Sequence, residues 1–204
     1  MTGDFRVIYA DPPWNFRTYS SKGRGRCPDA HYDIMTLQDL KDMRVEIDRY
    51  ASPDCVLFLW ATDPLLPQAL DVIEAWGFAY KTVGFYWAKL NKRAPREQFT
   101  MASFFTGLGY WTRANAEMCL LATRGSPQRR SRSVKRLVIA PRREHSRKPD
   151  EIYERIESLM DGPYLEFFAR QSRFGWRSVG DQADLFDEGP VETRRWPSVR
   201  RAAA

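Results

Sequence analysis

Residues 7–16 read VIYADPPWNF, and this stretch restricts the chain more than any other. Val7, Ile8, Tyr9 and Ala10 form a short apolar run of the kind that fills a buried strand. Two prolines end it. Pro12 has no amide to give to a sheet ladder, and it biases Asp11 towards an extended backbone. A carboxylate, two stiff residues and an indole therefore stand at the carboxyl end of the first strand. Strand-like runs alternate with helical patterns along the rest of the chain, which predicts an α/β layer architecture. In an open sheet of that type ligands bind beyond the carboxyl ends of strands. Asp11 to Trp14 is thus either a plain proline turn or one wall of a ligand site.

The alternation can be followed residue by residue. YDIMTLQDLKDM carries a helix signal, with Thr36 as N-cap and Asp39 in capping-box position. CVLFLWAT is a second buried strand. DPLLPQALDVIEAWGF is an amphipathic helix, with Leu66, Ala69, Leu70, Ile73 and Trp76 on one face and Gly77 as its C-cap. KTVGFYWAK, EMCLLATRG, LVIAP and YLEFFAR read as strands, GWRSVGDQ as a short one, and KPDEIYERIESLM as a helix with its acids at the N-terminal end. Two connections, RTYSSKGRGRCPDAHYD and LNKRAPREQFTMASFFTGLGYWTRAN, are long enough to suggest function. Their glycine clusters, 23–27 and 107–111, do not follow a strand and open a helix, so neither is read as a phosphate cradle.

At 204 residues, 43% hydrophobic and 28% charged, the chain has the size and composition of one globular domain. We expect a domain over 1–183 and a flexible tail over 184–204. No apolar run is long enough to span a membrane, and no leader is read at the N-terminus. The three cysteines are scattered, and with two histidines they build no zinc spacing. Cys55 and Cys119 read as core thiols, and neither His31 nor His145 is assigned a catalytic role. The expectation is a reduced, cytoplasmic, metal-free protein. Its net charge of +6 is uneven: residues 124–148 hold ten Lys/Arg and one acid, leaving 22 bases and 25 acids elsewhere. Such a block is either a solvated basic face or the footprint of a protein that meets phosphates.

A fixed carboxylate, carbonyls beside a proline and an indole suit a planar heterocycle with an exocyclic amine. Two acceptors take the amine hydrogens and the ring stacks. The amine then loses conjugation with its ring and becomes a better nucleophile.

ADPPW after a first strand resembles the signature of the DPPW-type (MT-A) N6-adenine methyltransferase family. VLFLWAT (56–62), AWGF (75–78), AEMCLLATRGSP (116–127), HSRKPDEIY (145–153) and LEFFARQSRFGWRSVGDQ (165–182) resemble further motifs of that family, in the same order. The resemblance implies a Rossmann-like S-adenosylmethionine-dependent methyltransferase. Its sheet would be mixed but mostly parallel, with helices on both faces. The motif order would be permuted, the catalytic loop preceding the cofactor segment. It implies S-adenosylmethionine as cofactor, S-adenosylhomocysteine as product, and no metal.

By the same resemblance Asp11 and the Pro12 carbonyl, in the Asp11-Pro12-Pro13-Trp14 turn, would hold the target amine. Trp14 or a neighbouring aromatic would stack on the base, and Asp11 would also lie near the cofactor's methyl. Lys148, Glu166 and Phe167 belong to the cofactor segments, with Glu166 accepting the ribose hydroxyls. Arg170, Asp181 and Gln182 would hold the ribose and adenine ends. Tyr32 and Glu117 match substrate-side positions, and Trp111 sits in the acceptor-pocket loop. Arg129, Arg130, Arg132, Lys135 and Arg136 would position phosphates. The chain departs from the family at Asp181, where Gly-Asn-Gln is the eukaryotic form, and at Ala169 in place of glycine. Its compact form suits the bacterial and phage members, which are generally assigned to DNA. DNA is therefore the favoured partner, and a duplex adenine would have to flip out. An RNA adenosine methyltransferase, a cytosine N4 enzyme and a catalytically silent binding partner are the alternatives. Either a monomer or a homodimer is compatible with the sequence.

Overall fold

The computed structural model describes residues 3–15, 35–95, 98–109, 111–143, 147–180 and 185. Among them the chain forms β1 (Phe5–Ala10), α1 (Leu37–Asp42), α2 (Arg44–Tyr50), β2 (Ala51–Ala61), α3 (Leu66–Ala75) and β3 (Ala79–Leu90), followed by β4 (Ala116–Arg124), β5 (Leu137–Pro141), α4 (Glu151–Leu159), β6 (Tyr164–Phe167) and β7 (Trp176–Val179). The seven strands make one sheet in the order β5-β3-β4-β2-β1-β6-β7. Every pairing is parallel except those of β4, which runs against both β2 and β3. This is the mixed, mostly parallel Rossmann-like sheet that the family resemblance implies.

Both faces are covered, and the period of two along each strand decides what faces where. Ile8 and Ala10 of β1, with Leu57, Leu59 and Ala61 of β2, join Leu40, Ile47, Val72, Ile73 and Trp76 from α1–α3 in one core. Val7 and Tyr9, with Val56, Phe58 and Trp60, face the other way and meet Ile152, Tyr153 and Ile156 of α4. The unbroken apolar runs of β1 and β2 follow from this, since a two-sided core leaves no solvent face to punctuate them with polar residues.

Local signals act where the sequence places them. Thr36 caps α1 through the Asp39 amide at 3.1 Å, and the Asp39 carboxylate returns a bond to the Thr36 amide at 2.9 Å. The helix read here is α1, and a second helix, α2, follows it unread from the sequence. They break at Met43, where the Trp76 indole takes the Leu40 carbonyl at 2.6 Å. Gly77 follows α3 with φ of +77°, and a Cβ there would press on the Arg44 guanidinium. The last strong strand is shorter than its motif. It ends at Phe167, because Phe168 turns the chain out with φ of +62°. The expected tail from Asp184 lies outside the described residues, apart from Leu185. Cys55 and Cys119 are buried free thiols, and burial pushes Cys55 up to about 12. Among the described residues no helix is long and apolar enough to cross a membrane.

Thr36→Ala removes one half of a reciprocal cap, and we expect it to cost about 1 kcal/mol. A thermal melt should show a fall of about 2–4 °C.

Candidate functional site at the carboxyl ends of β1 and β6

β1 lies between β2 and β6, with Ala10 opposite both Leu59 and Phe167. The chain departs from β1 towards β2 on one side, and β6 and β7 extend the sheet on the other. The strand order therefore reverses at β1, and a crevice opens beyond the carboxyl ends of β1 and β6. Asp11, Lys148, Glu166, Phe168 and Arg170 line it.

Asp11 is the first residue past β1, and Lys148 meets it from the segment that leads into α4. The Lys148 Nζ lies 2.7 Å from Asp11 Oδ2 and 3.5 Å from Glu117 Oε2, with the Trp60 ring centroid 5.0 Å away. Glu117 in turn pairs with Lys89. Strand direction explains how they meet. β4 is antiparallel, so its first residues stand at the same edge as the last residues of β2 and β3: Met118 opposite Ala61, and Glu117 opposite Trp87. The result is an alternating row, Asp11–Lys148–Glu117–Lys89, with side-chain exposures of 18, 9, 25 and 19%. Burial alone would raise the Glu117 carboxyl. The two lysines outweigh it and bring the group down to about 2.

Glu166 is built differently. It is the third residue of β6, beside Tyr9, and only 6% exposed. The Tyr153 hydroxyl donates to both of its oxygens, at 2.9 and 3.0 Å. Burial pushes the carboxyl up to about 8. The Tyr153 hydrogen bonds pull against that, Asp11 adds to it, and Arg173 opposes it. Glu117 and Glu166 are thus driven in opposite senses, Glu117 down by its two lysines and Glu166 up by burial.

Trp14 sits elsewhere than a stacking role needs. Its indole donates to the Trp60 carbonyl at 2.8 Å, and its ring lies 7% exposed in the core with Leu40 and Met43. Here it anchors the turn rather than offering an open face. The turn itself is closed by the Trp14 amide on the Pro12 carbonyl at 2.8 Å, and the Pro13 carbonyl accepts from the Met35 amide at 3.2 Å. Phe167 is also core, 1% exposed with its ring edge-on to Tyr50, because alternation along β6 turns it away from Glu166. Phe168 lines the crevice in its place. Trp111 is fully exposed on the connection between β3 and β4. Tyr32, Asp181 and Gln182 lie outside the described residues.

The basic block is not at the crevice. β4 carries the chain away to Arg124, opposite Cys55 near the start of β2. The Arg130 amide bonds the Leu159 carbonyl at the far end of α4. Lys135 and Arg136 lead into β5, an outer strand, with β3, β4 and β2 between it and β1. Arg129, Arg130, Arg132, Lys135 and Arg136 therefore occupy the underside and flank of the sheet, away from the crevice. Sequence reasoning also missed Lys89 and Tyr153. A lone lysine closing the apolar run FYWAK was the available signal for Lys89. Tyr153 was hidden in a helical apolar stripe.

The sequence model of the MT-A70 family matches residues 5–182. A type II methyltransferase, M.MunI, from Mycoplasma is 29% identical over 192 residues, covering 86% of this chain and 76% of that protein. An N(6)-adenosine-methyltransferase MT-A70-like protein of Arabidopsis thaliana is 31% identical over 198 residues, covering 93% of this chain and 26% of its own length. The human N(6)-adenosine-methyltransferase catalytic subunit METTL3 is 28% identical over 190 residues, covering 90% and 29%. The chain thus spans about three quarters of the bacterial relative and under a third of the eukaryotic ones. The match runs from the first strand through the last, with the Asp-Pro-Pro-Trp turn at the switch point of the sheet, and the chain belongs to the MT-A70 family of methyltransferases.

Proposed function

We propose that the chain moves a methyl group from S-adenosylmethionine to the N6 amine of adenine in nucleic acid, DNA in preference to RNA. The observation that carries this reading is the convergence of Asp11 and Glu166 in one crevice, the first fixed by Lys148 and the second by Tyr153. The crevice fits the cofactor that the family implies. A buried carboxyl at a strand end is the group that takes ribose hydroxyls in nucleotide folds, and Arg170 stands beside it. Bound there, S-adenosylmethionine supplies an electrophilic methyl carbon and departs as S-adenosylhomocysteine.

The chain's own residues align the acceptor. Lys148 engages Asp11 Oδ2, so the carboxylate is oriented before substrate arrives, and Oδ1 accepts one hydrogen of the amine. The Pro12 carbonyl uses one lone pair on the Trp14 amide and has a second for the other hydrogen. Such preorganised acceptors lower a barrier because no reorganisation accompanies the reaction. The surplus proton leaves N6 to solvent, so no strongly basic side chain is required. DNA is preferred because the chain covers 76% of the Mycoplasma type II methyltransferase and under a third of the adenosine methyltransferases. A cytoplasmic protein, monomeric or homodimeric, completes the reading.

Tritiated-methyl transfer to matched DNA and RNA oligonucleotides, single- and double-stranded, followed by nucleoside identification, should give N6-methyladenine on DNA. Label on RNA alone would reassign the substrate, and no label from cofactor-bound protein would sink the reaction. Asp11→Ala should lower turnover by on the order of a hundredfold or more.

Glu166 makes cofactor affinity depend on pH. In the free protein its neutral form is favoured, so its stabilising contribution is full below the ordinary 4.5 and is lost as pH rises through about 8. Ribose hydroxyls donate to the charged form, so binding below pH 8 must release that proton. Calorimetry should show affinity rising with pH to about 8 and then levelling, with proton release near pH 7. Glu166→Gln should bind more weakly and flatten the profile.

A further inference from the structure

Tyr9 lines the crevice beside Asp11 and Glu166, yet aligning the acceptor amine makes no use of it. It is the fifth of six residues in β1, 1% exposed, and directly opposite Glu166 in the β1–β6 register. Opposed residues of paired strands share a face. The phenol and the carboxyl therefore stand side by side on the face that α4 covers, where Tyr153 reaches both. The Tyr9 ring is held edge-on by Tyr153 at 5.2 Å and by Trp176 at 6.0 Å between centroids.

The hydroxyl is only half used. Its oxygen accepts the Trp60 indole N–H at 2.7 Å. Among the described residues no acceptor takes the phenol's own hydrogen, and Glu166 is engaged by the Tyr153 hydroxyl instead. Burial, and after it the neighbouring Tyr153 and Glu166, push the Tyr9 phenol well above its ordinary value, so it keeps that hydrogen. A buried donor without an acceptor is destabilising and calls for a partner that arrives with water or a ligand. Its direction follows from the sheet. Trp60 belongs to β2, on one side of β1, and Glu166 to β6, on the other. Trp60 also stands two residues nearer the carboxyl edge than Phe58, the β2 partner of Tyr9, so their bond draws the hydroxyl towards the crevice. A phenol keeps its O–H near the ring plane. With the Trp60 N–H arriving from the β2 side, the hydrogen turns to the β6 side, where Glu166 stands. Accepting one hydrogen bond also makes a hydroxyl the stronger donor of a second.

We propose that Tyr9 is a ligand-binding residue of the cofactor site, its O–H donating to the ribose hydroxyl whose own hydrogen Glu166 accepts. A hydroxyl both donates and accepts, and the Glu166 carboxylate beside the Tyr9 phenol offers it one partner of each kind. A sugar carbon without its hydroxyl satisfies neither and leaves both buried groups unpaired, so the pair selects a hydroxylated sugar. Trp60 serves both ends of the crevice, with its ring face at Lys148 and its N–H on Tyr9. The inference rests on the S-adenosylmethionine reading but concerns binding alone, not methyl transfer.

Calorimetry on the full chain tests it, with S-adenosylhomocysteine and its 2′-deoxy and 3′-deoxy analogues titrated into wild type and Tyr9→Phe. We expect Tyr9→Phe to lower affinity for S-adenosylhomocysteine by about tenfold, the worth of one hydrogen bond in a buried site. For the analogue that lacks the engaged hydroxyl, the same substitution should change affinity by less than about twofold. Equal losses on all three ligands would overturn the assignment, since an orphaned Trp60 N–H alone produces that pattern. No loss on any of them would overturn it too, with the cofactor reading left intact. A wild-type chain that binds none of the three would overturn both. A second measurement keeps to the unmutated chain, because Tyr9→Phe strands the Trp60 N–H. With the tyrosine Cζ carbons isotopically labelled, nuclear magnetic resonance should show exchange of the Tyr9 hydroxyl hydrogen slowing when S-adenosylhomocysteine binds. Exchange that stays as fast in the complex would sink the assignment.

Discussion

Lys148 reaches Asp11 across 137 positions of sequence, and the 2.7 Å bond between them ties the two halves of the site together. Asp11 belongs to the turn that ends β1, and Lys148 to the approach to α4, which also supplies Tyr153 to Glu166. Removing two charges from water is costly, and either charge left alone there would cost more. The protein meets this by alternation: Lys148 is shared between Asp11 and Glu117, and Glu117 between Lys148 and Lys89. The row alternates acid and base, which lets two carboxyl groups and two lysines stand at one partly buried edge.

The row depends on the direction of one strand. With β4 antiparallel, Glu117 arrives at the edge where β1, β2 and β3 finish. A parallel strand in that place would carry Glu117 to the opposite end of the sheet. The same reversal sends Arg124 and the basic segment away from the crevice. One topological choice both builds the acidic bridge of the site and relocates the cations to the flank.

Indoles set the walls. Trp60 presents its ring to Lys148 and gives its N–H to the Tyr9 hydroxyl at 2.7 Å, while its carbonyl receives Trp14. The floor beneath Asp11 and Glu166 is thus held by satisfied polar atoms inside an apolar core, so the turn is positioned by packing as well as by its prolines. The two carboxyl groups of the crevice differ because their neighbours differ. A lysine stands beside Asp11, whereas Glu166 has a hydroxyl and little water.

Much of this was written locally. The strand VIYA, the prolines that stop it, the Thr36–Asp39 cap and Gly77 each act within a few residues, so the sequence by itself determined the layered α/β plan, the place of Asp11 at a strand end and the family. Glu166 and Lys148 were legible because their motifs are short and intact. What only the tertiary structure decided is who meets whom. It buried Trp14 and Phe167, exposed Phe168 to the crevice, recruited Lys89 and Tyr153, and took Arg129 to Arg136 to an outer edge. The physical reason is register and strand direction. Hydrophobic spacing fixes which face of a strand is apolar, but which strand lies alongside, and which way it runs, follows from pairing between segments far apart in the chain.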